Sequence, residues 1–252
     1  MNKGKIPRAC APNGHAPAIA WFSCGVTSAI ATKLACSLFS NVRVIFIKTG
    51  SEEPDSLRFL ADCEEWFEHP IEIHQSQKYE DHFAVIRDRR YINGAAGAPC
   101  TLELKKKVRW QIEDATGNWQ AQIFGFDAGE RKRAIRFTEQ NPKAKAVFPL
   151  IDRGLTKEDC MSLLRHAGIE LPRMYRLGFH NNNCIGCVKG GKGYWNLIRK
   201  HYPDTFQKMM EIEQNLGHTC IKDCPLSDLP NVDLPPLVES CSLFCDPDFM
   251  DI

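Results

Sequence analysis

Two short stretches carry residue types that do chemistry. In FSCGVTSA, Ser23, Cys24, Gly25, Val26, Thr27 and Ser28 stand between a short apolar run and a segment of helical periodicity. A strand that turns directly into a helix leaves main-chain N–H groups without intrahelical acceptors. Together with the positive end of the helix dipole, these attract an anion. Gly25 lets the chain curl closely, and the hydroxyls of Ser23, Thr27 and Ser28 add donors, so the turn can cradle a phosphate; small polar residues of this kind also make ordinary turns. The Gly-Lys-Ser/Thr ending of the ATPase P-loop is missing. In NNNCIGCVKGGKGYW, Cys184 and Cys187 form a Cys-x-x-Cys pair on a glycine-rich loop. That spacing brings both sulfurs to one side of a turn, where they can bind one metal ion or one edge of an iron-sulfur cluster. Two sulfurs do not complete a site. Cys100, then Cys220 and Cys224, then Cys241 and Cys245 are the further donors. Zinc on Cys184, Cys187, Cys220 and Cys224 would make a closed structural site. A redox-active pair is a third use, if nearby Lys189 and Lys192 lower a thiol pKa.

Three basic clusters follow: Lys105 to Lys107 with Arg109, Arg131 to Arg133 with Arg136, and Lys189, Lys192, Arg199 and Lys200. If they converge they could track a polynucleotide backbone, with Tyr194, Trp195 and Tyr202 stacking on bases. Solvated helix faces and core packing explain the same residues without any ligand. The 32 basic residues against 31 acidic ones leave a net charge of +1, so no global field holds a nucleic acid or an anionic membrane. No segment approaches the roughly 20 apolar residues of a membrane helix, and the N-terminus lacks a signal-peptide run. Twelve cysteines in a chain of 252 residues without a secretion signal read as reduced thiols and metal ligands. A soluble, cytoplasmic protein is expected. Cys36, Cys63 and Cys160 fall in helix-like stretches, where a free cysteine packs as a small hydrophobe.

The elements that must position these residues alternate. PAIAWF, Pro17 to Phe22, reads as a strand buried on both faces; Ile30, Leu34 and Leu38 mark a helix; VRVIFIK, Val42 to Lys48, reads as a second buried strand. A helix opening at Pro54 to Ser56 and stopping before Pro70 follows, then a strand from Ile71 to His74. Ser76 to Pro99 reads as helical at first and then a loop, Glu103 to Asp114 as a helix, and Gln122 to Phe126 as a strand. Thr156 to Asp159 resembles a capping box. Two helices split near Pro203 precede a tail rich in Pro and Cys. This order favours an α/β fold, a mainly parallel sheet with helices on both faces, and a smaller cysteine-rich C-terminal extension. The division expected is a nucleotide-binding core over 1–149 and a helical, cysteine-rich part over 150–252 that completes the active site.

Several motifs, in order, resemble one family. The turn at Ser23 to Ser28 is similar to the PP-loop, Ser-Gly-Gly-x-Asp-Ser, with Cys24 in place of a glycine and Thr27 in place of the aspartate. KTGSEEPDSLRFL resembles the second-strand signature Asp-Thr-Gly-x-x-Phe-Pro-Glu-Thr of phosphoadenylyl-sulfate (PAPS) reductases. GFDAGERKRAIR, with Gly125, Glu130, Arg131 and Arg136, is similar to their Gly-x-Arg-x-x-Glu-Ser-x-x-Arg stretch. PLIDRGLTKEDCMSLLRHAGIELPRMYRLGF follows their Pro-Leu to Gly-Tyr progression. The resemblance runs from Ala18 to Cys187 and implies an adenine nucleotide alpha hydrolase-like fold, with the nucleotide across the C-terminal ends of parallel strands, as open α/β sheets favour.

The same resemblance implies ATP or adenylyl-sulfate as the ligand, its phosphates on the Ser23 to Ser28 turn, Thr49 and Gly50 beside the nucleoside, and Arg131 and Arg136 clamping phosphate or sulfate oxygens. Iron-sulfur relatives draw cysteines from just before a basic stretch and from a late Cys-x-x-Cys. This implies a 4Fe-4S cluster on Cys100, Cys184 and Cys187, with Cys220 or Cys224 as fourth ligand; zinc is the alternative. The ESCSLFC tail resembles the Glu-Cys-Gly-Leu-His end of thioredoxin-dependent reductases, implying a catalytic Cys241 and a thioredoxin-like reductant. Ser240 intervenes and no histidine follows. Three functions are open: reduction of an adenylyl-sulfate, ATP-dependent sulfur transfer to tRNA or DNA, and a non-catalytic nucleotide- or nucleic-acid-binding module.

Overall fold

The computed structural model describes residues 16–94 and 97–238. Five strands form one sheet in the order β3-β2-β1-β4-β5. β1 (Ala18–Phe22) is buried along its whole length, as its uninterrupted apolar sequence requires of a central strand. It pairs in parallel with β2 (Val42–Lys48) on one side and with β4 (Gln122–Ile123) on the other, and β4 pairs in parallel with β5 (Ala146–Val147). α1 (Val26–Leu38) is the crossover from β1 to β2, and α2 (Asp55–Phe67) leads to β3 (Ile71–Gln75). The expected parallel α/β architecture is what the chain adopts, with helices flanking the sheet.

The chain divides into two compact units that interleave in sequence. The first comprises 16–46, Asp55–His74 and Glu113–Pro172 and holds most of the sheet; the position near Pro149, where a boundary was expected, falls inside it. Its helices are α1, α2, the end of α5 (Lys107–Thr116), α6 (Arg131–Gln140), α7 (Pro149–Arg153) and α8 (Lys157–His166). Phe124, Phe126, Phe137 and Phe148 pack ring against ring beneath α6, with centroids 4.7 Å apart for the closest pair. Thr156 and Asp159 cap α8 reciprocally, as the sequence indicated. Cys63 and Cys160 are fully buried; burial raises both thiols, that of Cys160 to about 12. Cys36 is half-buried.

The second unit comprises Ile47–Pro54, Gln75–Ile112 and residues from Arg173 onward. It contains α3 (His82–Arg89), the short α4 (Pro99–Thr101), most of α5, α9 (Arg173–Arg176), α10 (Lys192–His201) and α11 (Pro203–Leu216). The helix expected over Glu103 to Asp114 begins earlier, because Pro99 supplies a good first residue. It passes through a π-helical turn, Leu102–Lys106, before becoming α5. An apolar cluster around Trp195, Tyr194, Phe179, Phe206 and Met209 forms the core of this unit, and five cysteines belong to it or pack on it: Cys187 and Cys220 buried, Cys100, Cys184 and Cys224 at its border. No helix among the described residues is long and apolar enough to cross a membrane.

Candidate functional site

In the first unit, the chain leaves β1 to one side through α1 and β2, and β4 lies on the other side. The turn after β1 is therefore at the point where strand order reverses, the position at which open α/β sheets bind ligands. Cys24 sits in the left-handed region, φ 56°, and is buried, which explains why glycine is the usual occupant of this place in the motif. Gly25 caps α1, and Val26, Thr27 and Ser28 form its first turn. The Ser28 hydroxyl is turned inward. It accepts from the amides of Ser23 and Gly25 at 3.1 and 3.3 Å and from the Ser23 hydroxyl at 3.1 Å, and it donates to the Gly25 carbonyl at 2.9 Å. What this turn offers an anion is its first-turn amides and the positive helix end, with the Ser28 hydroxyl spent on holding the shape.

Gly125 fixes the other wall. A Cβ there would lie 2.6 Å from both Cα and N of Ser28 and 2.9 Å from the Thr27 carbonyl carbon, so only glycine lets the chain leaving β4 pass this close to α1. The strand ends at Ile123, three residues short of the Phe126 that the apolar pattern suggested. Beyond Gly125, Asp127 and Glu130 cap a short turn reciprocally, and α6 follows. Arg131 and Arg136 both lie on exposed faces of α6. Lys157 of α8, which sequence reasoning passed over, is buried; burial lowers its pKa against the opposing influence of Asp127, Glu158 and Glu130. No spacing signal marks it.

In the second unit, Thr49 to Glu53 leave the end of β2 and meet the cysteine turn. Gly50 has φ 74°, and a Cβ there would overlap the Glu80 carbonyl at 1.7 Å. The Glu52 carboxylate accepts from both the amide and the hydroxyl of Thr49 at 2.6 Å. Thr49 Oγ1 lies 3.2 Å from Cys184 Sγ, and the Ile185 amide donates to the Ser51 carbonyl at 2.8 Å. His82 is buried, its Nδ1 2.6 Å from Ser51 Oγ, while Nε2 faces the backbone of Gly186 without a well-formed hydrogen bond. Burial, with help from Lys208, lowers its pKa to about 4, so the ring is neutral at physiological pH.

Cys184 and Cys187 close a turn whose two ends meet on the Tyr194 hydroxyl, which accepts from the Cys187 amide at 2.9 Å and donates to the Cys184 carbonyl at 2.5 Å. Cys220 is held by Glu213, a buried carboxylate of α11 that accepts from the Cys220 amide at 2.6 Å and the Leu226 amide at 2.7 Å. Burial raises the Cys220 thiol well above its ordinary range, and Glu213, Cys187 and Cys100 add to that rise, which marks these three side chains as its electrostatic neighbours. Cys224 follows a tight turn from Ile221 and has its sulfur near the Pro225 carbonyl. Among the described residues, no three His, Cys, Asp or Glu side chains stand close enough, as they are, to hold one metal ion. Cys241 and Cys245 lie outside the described residues.

An open parallel α/β sheet, with a glycine-capped turn at the point where strand order reverses, is the architecture of PP-loop proteins. Residues 17–190 match the phosphoadenosine phosphosulfate reductase domain, and the chain belongs to that family. A relative, the uncharacterized protein MJ0973 of Methanocaldococcus jannaschii, is 22% identical over 202 residues, 78% of this chain and 47% of the relative. The chain thus spans about half the length of the curated relative it matches. The crystal structure of phosphoadenylyl-sulfate (PAPS) reductase from Candida auris, in its phosphate complex, aligns over 66% of this chain and 81% of its own, with 11% identity and a TM-score of 0.48.

Proposed function

We propose that the protein is a PP-loop enzyme that binds an adenine nucleotide, adenylyl-sulfate or ATP, carries out sulfur redox or transfer chemistry and holds a cysteine-bound metal centre. The observation that carries this reading is the meeting of Thr49 Oγ1 and Cys184 Sγ at 3.2 Å, which joins the loop expected to face the nucleoside to the turn expected to face the metal. Phosphates would rest on the amides of Val26 to Ser28, against the wall made by Gly125, while Arg131 and Arg136 steady the charge of the attacked group. This is positioning and electrostatics. The donor set suits a metal centre: Cys100, Cys184, Cys187 and Cys220 share one apolar cluster, and Cys220 feels two of the others. These four would hold a 4Fe-4S cluster, which supplies charge or electrons when bound. Zinc on Cys184, Cys187, Cys220 and Cys224 is the competing assignment, with a structural role. Cys241 serves as the attacking thiol only in the reductase reading.

Anaerobic incubation with each nucleotide tests the reading. An adenylyl-sulfate reductase, given a thioredoxin-like dithiol as two-electron donor, releases sulfite and adenosine bisphosphate from PAPS. An ATP-dependent sulfur transferase acting on tRNA or DNA releases AMP and pyrophosphate. Absence of turnover and of binding with both nucleotides would refute the proposal.

A further inference from the structure

The geometry points to Tyr194 as the positioning residue that holds the main chain of the Cys184–Cys187 turn in one shape before any metal arrives. This rests on the reading of that turn as a metal site. Four main-chain groups of the turn are bonded by the protein alone. The Cys184 carbonyl and the Cys187 amide both meet the Tyr194 hydroxyl, at 2.5 and 2.9 Å. The Ile185 amide donates to the Ser51 carbonyl at 2.8 Å, and the Cys187 carbonyl accepts from the Gly190 amide at 2.9 Å. Gly186 takes φ 77°, and a Cβ there would approach Thr205 Cγ2 to 2.7 Å, so the turn is also fixed sterically. The Tyr194 ring is buried on α10 and occupies the space next to Gly190, where a Cβ would overlap it at 2.0 Å. The hydroxyl therefore cannot swing away without displacing the loop.

A Cys-x-x-Cys turn without such support is ordered by the metal itself, and part of the binding free energy is lost in ordering it. Here one phenol spans the turn from its first carbonyl to its last amide. Groups that orient metal ligands from behind typically change affinity ten- to a hundredfold when removed. Tyr194→Phe keeps the buried ring and deletes only the bridging oxygen.

The test uses the full metal-free chain under anaerobic conditions and cobalt(II) alone as probe, read through the thiolate-to-cobalt charge-transfer band, with Cys184→Ser to assign the band. Tyr194→Phe is expected to raise the cobalt dissociation constant about ten- to hundredfold. Tyr202→Phe, a hydroxyl deletion in the same cluster where the oxygen lies 3.7 Å from Met174 Sδ, is expected to leave it unchanged. Equal affinity in wild type and Tyr194→Phe, or equal weakening by both tyrosine variants, would overturn the assignment while leaving the metal reading intact. No thiolate band in the wild type would overturn the metal reading itself. If Tyr194→Phe does not fold, amide exchange in the metal-free wild type decides. A slowly exchanging Cys187 amide supports a preformed turn, and one exchanging at the rate of an open loop refutes it.

Discussion

Replacing Gly125 by alanine asks whether the close approach of the chain after β4 to the start of α1 shapes the anion site. The added methyl carbon would lie 2.6 Å from Cα and N of Ser28, where ordinary contact begins at 3.4 Å. Its neighbours are main-chain atoms of a helix turn, which cannot rotate aside as a side chain can. The two segments must then separate by on the order of 1 Å, and overpacking of this kind costs about 1–3 kcal/mol of stability. The same movement shifts the first-turn amides and places a methyl group against one of them, so we expect nucleotide affinity to fall at least about tenfold, equivalent to roughly 1.4 kcal/mol. Gly117→Ala separates the two effects. Gly117 ends α5 at φ 71° with no atom within 4 Å of a built Cβ, so alanine there strains the backbone by about 1 kcal/mol without touching the turn. Thermal unfolding gives the stability change for both, and calorimetric titration with ATP and with PAPS gives the affinity change. A Gly125→Ala protein that folds and binds nucleotide within twofold of wild type would refute the placement of the anion at α1.

Two further outcomes follow from buried groups of the second unit. Glu213→Gln should destabilise the protein by about 1–3 kcal/mol, since an amide group turns a donor toward one of the two main-chain N–H groups the carboxylate now accepts from, and, if Cys220 holds iron as proposed, should lower iron content by loosening that residue; denaturant unfolding and iron analysis check both. His82, held near pKa 4 by burial against an ordinary value of 6.5, stays neutral in the fold but takes up a proton when unfolded below that ordinary value. Its contribution is therefore complete above pH 6.5 and lost as pH falls toward 4, a change on the order of 3 kcal/mol that His82→Gln should remove from the pH profile of unfolding; an unchanged slope in the variant would refute it.

The parallel sheet was legible because its central strands are buried on both faces and carry continuous apolar runs, as in AIAWF and VRVIFIK. The turn at Ser23 was legible as a turn because small polar residues interrupt the sequence between a continuous apolar run and a segment of helical period. β5, two residues long, carries no periodicity that a pattern could reveal. The interleaved units escaped notice because a chain that crosses repeatedly between two cores leaves no composition shift at any one boundary. Tyr194 and Glu213 were missed for a different reason. Tyr194 read as a residue to stack on bases or to pack in a core, and Glu213 was not singled out; only folding shows that each is buried with its oxygens on the main chain of a cysteine loop. The glycines of GGKGYW hinted at it, since Gly190 is required by the Tyr194 ring and Gly193 by the chain at Leu234 and Pro235.

At Thr49 the nucleotide and cysteine readings cease to be independent. The threonine hydroxyl has a single proton, and Glu52 accepts it at 2.6 Å, so the contact with Cys184 at 3.2 Å must be one in which the sulfur donates to the threonine oxygen. A cysteine bound to a metal has no proton to give. The contact can then persist only if Thr49 turns its own proton toward the sulfur and releases Glu52, whose hold on the Thr49 amide alone remains. If a ligand uses Thr49, Gly50 or Glu52 as proposed, it would meet a different arrangement of donors and acceptors according to the state of Cys184, and linkage would then couple the two affinities.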